Sequence, residues 1–169
     1  MPARPAEHRP SLFLAEAPGG RTAHIVDLEN LIGNPQADRE TVAAALRAYL
    51  KTAGYRPGDS VWVGVNPGLG VTVASDPPVP MCIRTRSGPD GAETILLETV
   101  DLRALTEQYA RVVIGSGDHA FAPLAASLAA AGTPVVVVAR PGSLSGELRG
   151  RGYGIRLLPA GEDRIAFAA

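Results

Sequence analysis

The sequence predicts an α/β fold, a three-layer sandwich with a mainly parallel central sheet between helices. Three observations predict it. Short apolar runs of buried-strand type recur along the chain, and several end in a charge or a turn. Segments with helical spacing separate many of them, which implies crossover connections and parallel strands. Right-handed crossovers then place helices on both faces of the sheet.

Taken in order, residues 1–21 are rich in Pro, Ala and Gly and read as a flexible N-terminal arm, with Leu12-Phe13-Leu14 able to pack on the domain. A single domain is expected over 22–169. Ala23-His24-Ile25-Val26-Asp27 is the first strand. Asp38 caps a helix over 39–53, where Val42, Leu46, Tyr49 and Leu50 recur at helical spacing and Gly54 stops it. Residues 61–65 form a second strand, closed by Asn66-Pro67-Gly68, and 67–80 read as a loop or broken helix. Residues 81–85 and 94–97 read as two strands. Ser87-Gly88-Pro89-Asp90-Gly91 has turn chemistry, so a β-hairpin is expected there. A helix is expected over 101–109, a strand over 112–114, and an Ala/Leu-rich helix over 120–131 ended by Gly132. Val135-Val136-Val137-Val138-Ala139 is the most β-branched run and reads as a central strand. Ser143 is the expected cap of a short helix to Arg149. A last strand over 154–158 is placed near an edge, where it is able to pair across a homodimer.

Composition narrows the function classes. Hydrophobic residues make up 46% of the 169 and charged residues 20%, enough for a packed core. The formal net charge of −1 gives no general attraction to phosphate, so nucleic-acid binding would need a local basic patch. Cys82 is the only cysteine. An intramolecular disulfide and a cysteine-based zinc cluster are therefore excluded, and the thiol reads as a small buried group. The sequence has no stretch of membrane-span length and no signal-like start, so a cytoplasmic protein with no membrane association is expected.

Ligands of open α/β sheets bind beyond the carboxyl ends of the strands, where strand order reverses. Two strand ends carry acids there: Asp27-Leu28-Glu29-Asn30 and Ser116-Gly117-Asp118-His119. Asp101, at the start of the intervening helix, is a candidate third. Three converging carboxylates repel unless a cation neutralises them, and oxygen ligands suit hard divalent ions. The competing reading is that each Asp is simply a helix N-cap.

The segments Ile25-Val26-Asp27-Leu28-Glu29-Asn30-Leu31, Val100-Asp101-Leu102 and Val113-Ile114-Gly115-Ser116-Gly117-Asp118-His119-Ala120-Phe121 resemble, in that order, the three acidic motifs of NYN domains, a branch of the PIN-like nuclease fold. The resemblance runs from about residue 23 to 158. It implies a PIN-like, Rossmann-like sandwich and a metal-dependent ribonuclease acting on single-stranded RNA. Asp27, Asp101 and Asp118 would ligate Mg²⁺ or Mn²⁺, Asn30 would orient a ligand or touch phosphate, and Ser116 would hold the turn or donate to the site. Two departures stand out. Ala120 occupies the place of the family's second acidic residue in its third motif, and Glu98-Thr99 stands where Lys-Gly is common before the middle Asp. Glu29 and Glu98 are candidates to make up the missing charge. His119 reads as a phosphate ligand, a proton donor or an exposed turn residue.

Two other readings are open. Gly115-x-Gly117-x-x-Ala120 satisfies a dinucleotide fingerprint, with Arg140 at a suitable distance for a 2′-phosphate, although Asp118 would set a negative charge in the loop meant for pyrophosphate. Alternatively, with Ala120 in place of an acid, a catalytically impaired domain would bind RNA or a protein partner without cutting. Arg84, Arg86, Arg103, Arg140, Arg149 and Arg151 would then form a basic rim. Arg149-Gly150-Arg151-Gly152-Tyr153 sets cations beside an aromatic able to stack on a base.

Overall fold

A computed structural model describes residues 20–160. The arm expected over 1–21 lies outside the described residues as far as residue 19, as does the chain after 160. Six strands form one parallel sheet: β1 (Thr22–Asp27), β2 (Ser60–Val65), β3 (Cys82–Thr85), β4 (Arg111–Gly115), β5 (Val135–Ala139) and β6 (Gly154–Leu157). Their order across the sheet is β3-β2-β1-β4-β5-β6. From β1 the chain winds outward through β2 to β3. It then returns to the far side of β1 with β4 and winds outward the other way. Strand order therefore reverses between β1 and β4, and a crevice opens past their carboxyl ends.

Strand alternation supplies a core on each face. Val26, Val63, Val113, Val136 and Val138 point to one side and pack against α1 (Leu28–Ile32), α2 (Arg39–Ala53) and α3 (Pro67–Ser75). Ile25, Val112, Ile114, Val135 and Val137 point to the other. There they meet α4 (Gly91–Thr99), α5 (Leu102–Gln108) and α6 (Ala122–Ala130). The three-layer α/β sandwich expected from the sequence is the architecture. The core on the α2 face of the sheet is packed by Tyr49, which is fully buried. Its hydroxyl bonds His24 Nδ1 on β1 at 3.0 Å, and a Cβ at Gly115 would sit 2.6 Å from its ring, so β1, α2 and β4 are locked together at one point.

Several elements differ from expectation. No hairpin forms at 81–97. β3 pairs parallel to β2, and the residues after it make α4, in which Ala92 and Leu96 bury one face. A short run such as Thr94-Ile95-Leu96-Leu97 suits a strand or a buried helix turn equally, and tertiary packing decides. Gly91 helps decide it, because a Cβ there would meet the Arg86 carbonyl oxygen at 2.6 Å. Residues 67–75 form a regular helix, since Pro67 stands at the start, where its missing N–H costs nothing, and Asn66 caps it. The short helix expected from Ser143 is a single 3₁₀ turn, Gly146–Leu148, capped by Ser145. The helix expected over 120–131 begins as a 3₁₀ turn, His119–Phe121, before α6. β6 is an edge strand, as expected, and exposes Ile155 and Leu157. No helix among the described residues is long and apolar enough to cross a membrane.

Candidate functional site

The crevice between β1 and β4 holds the acids. Asp27 ends β1 and is 4% exposed. Its Oδ1 accepts the Asn30 backbone N–H at 3.2 Å, which caps α1, and its Oδ2 accepts the Ser116 hydroxyl at 3.3 Å. Ser116 is fully buried, and its Oγ in turn accepts the Asp118 backbone N–H at 3.1 Å. One hydroxyl therefore joins the two aspartates across the two central strands. Asn30 closes the ring: its Oδ1 accepts the Gly117 N–H at 3.0 Å. Gly117 has no room for a side chain, because a Cβ would lie 2.3 Å from the Ser143 carbonyl oxygen. Its own carbonyl accepts the Ser145 N–H at 2.8 Å, so the loop after β5 clamps the loop after β4.

Asp118 is half-buried and caps the 3₁₀ turn through the Ala120 N–H at 2.8 Å. His119 Nδ1 lies 3.2 Å from Asp118 Oδ1, with the imidazole largely in solvent. Burial lifts the Asp27 carboxyl from its ordinary 3.8 to about 6. Its hydrogen bonds to Asn30 and Ser116 oppose the rise, and the charges of Glu29 and Asp118 add to it.

Asp101 shares no hydrogen bond or ion pair with these two aspartates among the described residues. Asp101 stands exposed at the start of α5, where its carboxylate accepts the Ala104 N–H at 2.8 Å, and it contacts none of the other site residues. Glu93 on α4 is a further acid that feels the charges of this pair. Its carboxyl is lifted from 4.5 to about 7, first by burial and then by the charges of Asp118, Asp90 and Asp27, while His119 pulls it down. Those interactions place Glu93 within electrostatic reach of both aspartates. Reading 94–97 as a strand hid it. A helical reading of 91–99, with Ala92 and Leu96 one turn apart, would have put Glu93 in the first turn of a helix aimed at the site.

The other acids and bases are variously engaged. A Glu29 carboxylate oxygen accepts the Asn66 N–H, and Glu98 pairs with Arg86 at 2.8 Å, so both candidates for a compensating charge are otherwise held. Arg103 pairs with Glu107 at 2.8 Å. Arg149 donates to the Leu144 carbonyl at 3.1 Å, and Arg151 is exposed on the same loop. Neither touches the acids. Arg140 does reach the site: its Nε donates to the Asn30 carbonyl at 3.3 Å. The glycines of the dinucleotide fingerprint are accounted for by packing, Gly115 against Tyr49 and Gly117 against Ser143.

Chemically, the arrangement is a pair of aspartates with a glutamate nearby, and no arginine or lysine is paired with any of the three among the described residues. No group of three or more His, Cys, Asp or Glu among the described residues is placed to hold a metal ion unaided. Mg²⁺ ordinarily takes one or two carboxylates and completes its shell with water and substrate phosphate, and an Asp27–Asp118 seat fits that pattern.

No family model, curated protein or solved structure matches the chain.

Proposed function

We propose that this chain is a metal-dependent ribonuclease that hydrolyses phosphodiester bonds of single-stranded RNA in the crevice between β1 and β4. One observation carries the reading. One buried hydroxyl at the strand-order reversal joins the Asp27 carboxylate to the Asp118 backbone N–H, and no arginine or lysine among the described residues is paired with either carboxylate. Clustered carboxylates raise one another's proton affinity, and a divalent cation relieves that repulsion. Asp27 and Asp118 would hold Mg²⁺ or Mn²⁺, which supplies an activated water and stabilises charge growing on the scissile phosphate.

The chain's own residues do the positioning. Ser116 links the Asp27 carboxylate to the Asp118 backbone, and Asn30 ties the loop after β4 to α1 so that both strand ends move as one piece. His119, in solvent beside Asp118, is available to meet a phosphate oxygen or to give a proton to the leaving group. Arg149 and Arg151 stand apart from the acids on an exposed loop, where they would contact RNA flanking the cut. A cytoplasmic setting suits this reading.

The second reading, an RNA- or protein-binding domain without cleavage, draws on Ala120 in place of the family's acid and on the absence of a complete three-ligand group among the described residues. Labelled single-stranded RNA with Mn²⁺, then with EDTA, decides between them. Cleavage that needs Mn²⁺ and disappears in Asp27→Asn and Asp118→Asn is the expected result. Retention of RNA without cleavage under every metal condition would establish the second reading and overturn the first.

A further inference from the structure

Arg140 is the first residue past β5, at the same end of the parallel sheet as Asp27 and Asp118. Two contacts place its guanidinium. Nε donates to the Asn30 carbonyl at 3.3 Å. The turn at Gly33, which ends α1 with a φ of 74°, lies against it. A Cβ at Gly33 would stand 2.9 Å from Cζ, 3.0 Å from Nη2 and 3.1 Å from Nε. The central atom is the nearest, so that point lies over the flat face of the guanidinium rather than off an edge. A side chain at position 33 would lift the arginine from its place. Asn30 joins this cation to the acids. Its N–H bonds Asp27 Oδ1, its Oδ1 accepts the Gly117 N–H one residue before Asp118, and its carbonyl takes Arg140.

We propose that Arg140 binds a backbone phosphate of the RNA, the one adjoining the phosphate that is cut. The inference rests on the ribonuclease reading and names a residue that anchors its substrate. A guanidinium is a flat fork of donors, and its two terminal nitrogens match a pair of phosphate oxygens. Here the face is laid on Gly33 and Nε is on a carbonyl, while the edge carrying Nη1 and Nη2 is separate from that bond. The residue is exposed. A carbonyl holds the arginine without cancelling its charge, as a carboxylate would. Capping the end of α1 accounts for the Nε contact, and a lysine would serve that purpose as well. A fork fixed in orientation is what a phosphate needs. Because Arg140 reaches the aspartates only through Asn30, it leaves their charge to the cation and meets the chain beside the cut. It is a binding residue and takes no part in the chemical step.

Labelled single-stranded RNA and the full chain test this. Binding is measured in EDTA at roughly 50 and 200 mM salt, and Mn²⁺-dependent cleavage over a range of RNA concentrations. Arg140→Gln is expected to weaken binding about tenfold and to reduce the slope of log affinity against log salt by about 0.7, the share of one phosphate on a single strand. In cleavage it should raise the half-saturating RNA concentration about tenfold and leave the maximal rate within about twofold. Arg140→Lys keeps the charge, so it should keep the salt slope while recovering only part of the affinity. A lower melting temperature in Arg140→Gln with parental affinity and salt slope would make the residue a helix cap alone. That result overturns the proposal and leaves the ribonuclease reading standing. A parent that neither binds nor cleaves RNA under any metal condition overturns that reading and this proposal together.

Discussion

Asp27 and Asp101 do the same local job in different places. Each ends an extended residue, each accepts an N–H three residues on, and each starts a helix. Asp27 does so at 4% exposure on the central strand, where its second oxygen is held by a hydroxyl from β4. Asp101 does so in solvent, with water to satisfy the rest of its carboxylate. Capping is a property of three or four consecutive residues. A site is a property of the sheet order that sets two distant caps side by side. The difference between the two aspartates is what a functional test should exploit.

The largest expected effect separates them directly. Asp27→Asn and Asp118→Asn should each lower Mn²⁺-dependent RNA cleavage by at least about 100-fold, in line with removing a group that stabilises charge in a transition state. Asp101→Asn should leave the rate within about twofold, because Asn caps as well as Asp and nothing else depends on that carboxylate. Single-turnover cleavage of a labelled RNA measures all three. A loss in Asp101→Asn equal to that in Asp27→Asn would return Asp101 to the site and break the comparison.

Glu93→Gln comes next, with an expected loss of about tenfold, the usual scale for a group that acts through the charges of others. The same variant should shift the pH dependence of cleavage, since burial, and after it the charges of Asp118, Asp90 and Asp27, lifts the Glu93 carboxyl to about 7. A tenfold loss with an unchanged pH profile would mean that Glu93 only packs.

That Glu93 feels the charges of the two aspartates while Asp101 caps α5 in solvent shows where the sequence was readable. Val135–Ala139 and the strand ending at Asp27 were legible because a run of β-branched or apolar residues bounded by turn chemistry has few alternatives. The helix over 39–53 was legible from Asp38 at its start, Gly54 at its end and a periodic apolar face. The pairing of Asp27 with Asp118 was legible only through the strand-order rule, which places ligands where order reverses without stating which strands those are. Thr94-Ile95-Leu96-Leu97 was not legible, because a threonine and three apolar residues fit a strand or one turn of a helix. That single misreading removed Glu93 from the candidates. The Arg140 contact with Asn30 spans 110 residues and has no local signature.

A third comparison uses stability. Between pH 4 and 7 the folded chain binds more protons at Asp27 than the unfolded chain does, because burial lifts its carboxyl to about 6 from an unfolded value near 3.8. The stability this group contributes is complete below pH 3.8 and is lost as pH rises through 6. Above that the crevice holds a buried charge, at a cost of about 3 kcal/mol at pH 8 in EDTA. Asp27→Asn removes the charge. It should therefore be more stable than the parent in EDTA at pH 8, with the gap closing near pH 4.5. Mn²⁺ should stabilise the parent at pH 8 and leave Asp27→Asn unchanged. Urea melts across that range measure it, and a parent that is insensitive to Mn²⁺ would remove the metal from the proposal.

Asp101→Ala gives the smallest effect and the cleanest contrast. Its carboxylate satisfies one orphan N–H at the start of α5, a helix of only seven residues, and it is exposed. Losing a cap of this kind costs about 1 kcal/mol, and nothing of the crevice should move with it. The expected outcome is a lower urea midpoint with cleavage per folded molecule unchanged. The same truncation at Asp27 removes the acceptor of both the Asn30 N–H and the Ser116 hydroxyl, which aligns β1 with β4. It should therefore lower stability at pH 4.5 as well as abolishing cleavage. Two caps with one local geometry would then differ in every readout that depends on the sheet and agree only in the one that depends on the helix.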